Sequence, residues 1–134
     1  MQQQKAFTLP ELIMVLAIIS ILSALSYPAY QQYLLQSYRS EAVQVLLLLA
    51  NRQEQWLADY GAYSDNLETL GLAAPYLSRS GRYRFSVALA DNGNGYLLTA
   101  QAVALQQQDT LCPVFTLNQY GQRNAQLPEA GDCW

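Results

Sequence analysis

The sequence has no histidine, a single lysine and only two cysteines in its 134 residues. Without histidine, the chain lacks the usual general base for a serine or cysteine nucleophile and the commonest metal ligand. The one lysine, Lys5, precedes a long apolar stretch, so a serine–lysine pair in a folded domain is excluded as well. These absences argue against an enzyme, and we expect no metal and no cofactor.

Charge is also scarce. Charged residues make up 13% of the chain, hydrophobic residues make up 51%, and the formal net charge is -3. This balance argues against a protein held to nucleic acid by bulk charge, although a local basic patch remains compatible with it.

One long hydrophobic run is present, from Phe7 to Tyr27, and Glu11 is its only charged residue. As a helix it would span roughly 30 Å, the thickness of the hydrocarbon core of a bilayer. We therefore expect a membrane-inserting helix that carries one small globular head.

A short polar leader, residues 1–6, precedes this run. The order fits a cleaved secretory signal, a permanent anchor or a leader that a dedicated peptidase removes, and periodicity alone does not choose between them. A carboxylate at the head of an uncharged membrane helix is costly, which favours a role for Glu11.

The junction Ala6 followed by Phe7-Thr8-Leu9-Pro10-Glu11 resembles the type IV pilin family. The resemblance implies cleavage between Ala6 and Phe7, N-methylation of Phe7, and pairing of Glu11 with the terminal amine of a neighbouring subunit during assembly. The family usually has glycine in place of Ala6. The alternative role for Glu11 is a capping box with Thr8.

Beyond the apolar run, Pro28 should kink or locally melt the helix because it removes one backbone hydrogen bond. The pattern then becomes one-sided, with apolar residues at spacings of three and four up to Tyr60. We interpret the run from Leu46 to Leu49 as core. Joined through Pro28, the two halves predict one helix of roughly fifty residues.

Strict alternation from Arg82 to Leu89 predicts a half-buried antiparallel strand. The run from Asp91 to Gly95 predicts a turn into a second strand, Tyr96 to Val103, and its spacing does not fit a calcium loop. A third strand is expected over Val114 to Asn118. It leads into residues 119–123, which are expected to form a turn, and a short fourth strand is the weakest pattern.

The two cysteines, Cys112 and Cys133, are expected to form a disulfide in an oxidising compartment, with two buried free thiols as the alternative. A disulfide-bounded carboxy-terminal loop resembles that of PilE/ComP-like minor pilins. The fold class that follows is α+β, a type IV pilin fold in which one long amino-terminal helix packs on a small antiparallel sheet.

The expected domain organisation has three parts. Residues 1–6 form the leader, residues 7–29 the hydrophobic helix half, and residues 30–134 the globular head. Within the head, residues 30–60 form the amphipathic helix half, 61–81 a connecting loop, and 82–134 the sheet with the disulfide-bounded loop.

The resemblance implies a structural subunit of a type IV pilus, most simply a minor pilin. Its partners would be other pilin subunits, a prepilin peptidase, an inner-membrane platform and cytoplasmic assembly ATPases. Before assembly it would sit in the inner membrane with its head in the periplasm, and afterwards in a cell-surface filament. A major pilin and a type II secretion pseudopilin remain alternatives, although major pseudopilins generally use calcium where this chain has cysteines.

A second class of function is DNA binding, because the resemblance extends to a DNA-uptake receptor. Arg79, Arg82 and Arg84 form the one basic cluster of the sequence, and strand alternation puts Arg82 and Arg84 outward together. The alternative is a solvated strand face whose charges discourage edge pairing.

The amino-terminal motif predicts that the mature protein begins at a methylated Phe7. Mass spectrometry of the mature amino terminus checks this directly, with a Phe7→Ser variant as a control for the methylated residue. A mature chain that begins beyond Ala24 would identify a conventional signal peptide instead.

Overall fold

The structure is a computed structural model, and it describes residues 7–124 and 133–134. The leader, including Ala6, lies outside the described residues. The elements are one α-helix, α1 (Leu9–Tyr60), and three strands, β1 (Tyr83–Ala90), β2 (Gly95–Ala102) and β3 (Val114–Asn118), with short 3-10 helices at Asp91–Gly93 and Ala104–Gln108. This confirms the α+β fold class with one long amino-terminal helix and an antiparallel sheet.

The chain divides into two compact units, one ending at Leu34 and the other comprising Leu35–Trp134. In the first unit the large apolar side chains of α1 up to Tyr33 are solvent-exposed, and none of the most apolar 18-residue window is buried. By length and composition this is the one helix of the described residues that could cross a membrane. The domain bounds given above stay predictions.

Pro28 lies inside α1 without ending it. The helix on both sides supplies enough backbone hydrogen bonds to absorb the one that proline cannot donate. The local melting that Pro28 made possible is therefore absent, and the kink stays a prediction.

The second unit is built around the one-sided part of α1. Ala42, Leu46 and Leu49 are buried on the face that belongs to the hydrophobic core of this unit. By contrast, Leu47 is 46% exposed and Leu48 is 57% exposed. The interpretation of the whole leucine run as core was thus wrong for its two middle residues, because a helix turns them away from the face shared by positions 46 and 49.

The sheet has the order β1-β2-β3, with both pairs antiparallel. Its apolar inner face contributes buried side chains from all three strands, as the alternation in the sequence predicts. These core residues are Tyr83 and Phe85 of β1, Leu98 and Ala100 of β2, and Phe115 and Leu117 of β3. The bounds of β1 and β2 differ by one residue from those predicted, and β3 matches.

The β1–β2 connection is the expected turn. Asp91, Asn92 and Gly93 all have positive φ, at 51°, 54° and 91°. Residues of these types tolerate that region better than branched ones, which is why the sequence signal at this turn is reliable.

The fourth strand is not found among the described residues, where a single antiparallel bridge joins Leu117 to Arg123. Asn124 completes this contact. Its backbone N–H donates to the Thr116 carbonyl at 2.9 Å, and its side-chain oxygen accepts from the Thr116 N–H at 2.8 Å. An asparagine side chain thus replaces part of a strand at the edge of β3.

Cys112 and Cys133 form a disulfide, with their Cα atoms 5.7 Å apart. The expected pairing is confirmed and the alternative of two free thiols is wrong. Both cysteines are buried next to the core, where Phe115 and Trp134 make an edge-to-face contact.

Gln53 of α1 fixes the start of the loop that follows the helix. Its buried side-chain amide donates to the Ser64 carbonyl at 2.7 Å and accepts from the Ser64 N–H at 2.9 Å. A buried amide paired in this way leaves no polar group unsatisfied on either side.

A second polar anchor joins α1 to the segment between β2 and β3. The Arg39 guanidinium donates two hydrogen bonds of 2.6 Å to the Asp109 carboxylate, which is only 2% exposed. Gln106 donates to Asp109 at 3.3 Å and to the Tyr83 hydroxyl at 3.0 Å. The Cys112 N–H also donates to Asp109, so the anchor reaches the disulfide.

The titration of this cluster follows from its geometry. Desolvation alone would raise the pKa of Asp109, but the hydrogen bonds and charge of Arg39 and the backbone N–H groups hold that pKa below its usual value. Burial raises the pKa of Tyr83 to about 12, so its hydroxyl stays protonated at neutral pH.

We expect Asp109→Ala to lower the free energy of unfolding by about 2 to 3 kcal/mol at pH 7, because it strands the Arg39 charge. Since the folded-state pKa is lowered, the contribution of Asp109 is present above its unfolded pKa and is lost as pH falls below about 4. Urea titrations of parent and variant at pH 7 and pH 3 measure this, and the difference should shrink at pH 3.

The matched control is Asp65→Ala, which removes an exposed carboxylate and should stay within about 0.5 kcal/mol of the parent. An equal effect of the two substitutions would show that the Arg39–Asp109 contact does not stabilise the fold.

Candidate functional site

The first candidate region is the start of α1. Phe7 is 86% exposed. The Thr8 N–H and hydroxyl both donate to one oxygen of Glu11, at 3.1 and 3.0 Å. The capping contact considered for Glu11 is therefore present, and the carboxylate is satisfied within its own chain. Pairing of Glu11 with another subunit stays a prediction.

The second candidate region is the basic turn, defined as residues 78–84. It is closed by its own backbone: the Ser78 N–H donates to the Tyr83 carbonyl and the Gly81 N–H donates to the Ser78 carbonyl, both at 2.8 Å. The Ser78 hydroxyl oxygen accepts from the N–H groups of Arg82 and Tyr83. Gly81 supplies the positive φ, 70°, that this turn requires.

The turn does not present its three arginines in the same way. Arg79 and Arg84 are exposed, and Arg84 lies opposite Gln101 on the outer face of the sheet. The Arg82 guanidinium instead lies over the ring of Tyr38 on α1, 4.6 Å from its centroid. The expectation that Arg82 and Arg84 point outward together was wrong for Arg82, which precedes β1 and is held by a cation–π contact.

Another residue of α1 reaches the basic turn. Oε1 of Glu41 accepts from the Ser80 N–H at 3.0 Å, and Oε2 accepts from the Ser80 hydroxyl at 2.5 Å. Sequence reasoning missed both Tyr38 and Glu41 as neighbours of the basic turn. Their spacing of three places them on one side of a helix, but it does not reveal what faces that side.

The positive charges of the basic turn are not balanced by a salt bridge within the described residues. Within residues 7–124 and 133–134 the one ion pair is Arg39–Asp109, so no arginine of the basic turn forms a salt bridge there. Glu41 is the carboxylate that contacts the turn, and it binds serine groups. The positive charges of Arg79 and Arg84 thus remain available to an external anion.

The described part of the chain lacks a cluster of metal ligands, since its residues contain no group of three potential metal-ligating His, Cys, Asp or Glu side chains. An open depression of about 460 Å³ beside β1 is lined by Asp65, Tyr76 and Ser86, among others. It does not pair a nucleophile with a base, the arrangement that covalent catalysis requires.

Two family models match the sequence. Residues 1–27 match the prokaryotic N-terminal methylation motif. Residues 28–116 match the family described as "Type IV minor pilin ComP, DNA uptake sequence receptor".

Named relatives agree with these matches. The fimbrial protein EcpC of Eikenella corrodens is 36% identical over 99 residues, which is 74% of this chain and 63% of that protein. A type IV major pilin protein PilE1 of Neisseria gonorrhoeae is 40% identical over 102 residues, which is 73% of this chain and 44% of that protein. The chain thus spans less than two thirds of the length of these relatives.

Among solved structures, a type IV pilin from Shewanella oneidensis is similar to this fold with a TM-score of 0.56. The two are 27% identical, and the match covers 75% of this chain and 97% of the other.

Proposed function

The chain belongs to the type IV pilin family, in the group described as "Type IV minor pilin ComP, DNA uptake sequence receptor", and from this we propose that it is a minor subunit of a type IV pilus. The observation that carries the proposal is the combination of the methylation motif with the exposed apolar half of α1. Such a surface needs lipid or other apolar helices around it. Its function is then structural, through assembly with other pilins.

The route to the filament follows from the same features. A prepilin peptidase would cut between Ala6 and Phe7 and methylate Phe7. The subunit would wait in the inner membrane, its head in the periplasm, until the platform and its ATPases move it into the filament. Pro28 would allow the helix to change its path during this transfer.

Two alternatives concern the type of filament protein. A major pilin is supported by the printed names of several relatives, among them PilE1. A type II secretion pseudopilin is less well supported, because the head is closed by the Cys112–Cys133 disulfide where calcium would be expected.

DNA binding is the second candidate function. It is supported by the description of the matching family and by the exposed arginines of the basic turn, which no carboxylate of the described residues pairs with. Arginine binds phosphate through a planar fork of donors, so Arg79 and Arg84 would contact the DNA backbone. Arg82 would support the turn through Tyr38.

For assembly, we expect Glu11→Ala to be processed and retained in the membrane but to enter filaments poorly, since it loses the carboxylate that would pair with a neighbouring amine. Immunoblots of sheared filaments and membranes measure the split between the two pools. Thr8→Val is the matched control, because it removes the hydroxyl donor to Glu11 and keeps the charge. Normal incorporation of Glu11→Ala would show that Glu11 serves only as a cap.

For DNA binding, we expect Arg79→Ala/Arg84→Ala to weaken the binding of duplex DNA to the full chain in uncharged detergent micelles. The slope of log K against log salt is negative, and its magnitude should fall by about 2, close to one for each phosphate that the variant no longer neutralises. Fluorescence anisotropy at several salt concentrations measures this. Arg82 is left in place because its loss would also remove packing on Tyr38.

The control for the double variant is Arg52→Ala, which removes an exposed positive charge away from the turn. Arg123 is left in place because its guanidinium packs on the Trp134 ring. An equal loss of affinity per charge removed in the two variants would indicate binding by general charge. No measurable binding by the parent would remove DNA as a ligand.

A further inference from the structure

The Glu41 carboxylate occupies a position where the basic turn gathers donors for an anion. The N–H and the hydroxyl of Ser80 point at the two oxygens of this carboxylate, at 3.0 and 2.5 Å. Two donors that converge on two oxygens of one acceptor fit a phosphodiester as well as a carboxylate. Arg79 precedes Ser80 in the chain and is exposed, so it adds positive charge beside these donors.

The turn does not depend on Glu41 for its shape. Ser78 holds it from within, through its own N–H, carbonyl and hydroxyl, and the bridge between Leu77 and Arg84 closes its base. Releasing the carboxylate therefore leaves the donors of Ser80 in place.

The helix does not depend on the Glu41 contact either. Arg39 and Ala42, on the two sides of Glu41, are fixed by the Asp109 ion pair and by core burial. Glu41 itself is partly exposed, so its side chain can turn into water without moving α1. The contact is thus a removable one between two independently anchored elements.

We propose that the basic turn is a phosphodiester-binding site that Glu41 closes in the free protein, and that a DNA phosphate displaces this carboxylate from Ser80. This inference rests on the proposed DNA-binding function and adds to it a competing group within the chain. Glu41 lowers the affinity in two ways, because it occupies the donors and because it repels the incoming anion. A ligand must then carry enough negative charge to displace Glu41 from Ser80 and to engage Arg79 as well.

Inorganic phosphate is the first probe, with the full chain in uncharged detergent micelles and the Ser80 amide followed by NMR. We expect Glu41→Gln to bind phosphate roughly fivefold more tightly than the parent, the size of effect expected for a charge-assisted contact at an exposed site. Glu54→Gln is the matched control, since Glu54 is an exposed carboxylate of the same helix that contacts Tyr63 instead. It should bind phosphate like the parent.

The serine supplies a second test. In Glu41→Gln/Ser80→Ala the hydroxyl donor is gone, together with its 3.1 Å contact to the Ser78 hydroxyl. The backbone hydrogen bonds of Ser78 still close the turn, so the gain in phosphate affinity should be lost. Equal affinities in Glu41→Gln and Glu54→Gln would overturn the proposal. So would weaker binding in Glu41→Gln, which would make Glu41 an anchor for the turn, or the absence of any response at Ser80.

Duplex DNA separates this inference from the function on which it rests. If DNA is the ligand, Glu41→Gln should raise its affinity by a similar factor. Phosphate binding at Ser80 without DNA binding by any variant would overturn the DNA function and leave the anion site. DNA binding that Glu41→Gln and Glu54→Gln change equally would overturn the role of Glu41 and leave the DNA function.

Discussion

The inner face of the three-stranded sheet must be covered, and in the described residues α1 is the helix that covers it. A small antiparallel sheet has an apolar face that is stable only when another element excludes water from it. Ala42, Leu46 and Leu49 meet this requirement from one side of the helix. The same helix also contains the apolar segment of the first unit. One helix therefore completes the core of the head and carries the segment that would enter a membrane or filament.

Two polar anchors bracket this apolar contact. Arg39 binds Asp109 before the buried stripe, and Gln53 binds Ser64 after it. An apolar stripe alone tolerates small shifts along the sheet, whereas a buried polar group left without its partner costs more than the pair gains. The anchors therefore select one register of helix on sheet, and Asp109 extends this selection to Cys112.

The register has a consequence for the candidate DNA-binding surface. Tyr38 and Glu41 flank the Arg39 anchor, and both reach the basic turn, one through the Arg82 guanidinium and the other through Ser80. The surface that would meet an anion is thus positioned by the contact that fixes the helix. A change in the register of α1 on the sheet would alter the core packing and this surface together. The stability of the head is therefore linked to the charge that the basic turn presents.

The sequence by itself determined the elements and the family. The apolar run, the Phe-Thr-Leu-Pro-Glu junction, the alternation in β1 and the positive-φ turn are local patterns, and each depends only on residues near it in the chain. The disulfide was predictable because Cys112 has only one possible partner. Sequence reasoning failed where a residue's neighbours are distant: Arg39 and Asp109 are 70 positions apart, and Glu41 and Ser80 are 39 apart. Periodicity says which side of a helix a residue occupies, but only the tertiary structure decided what faces that side, because that depends on how two separate elements pack.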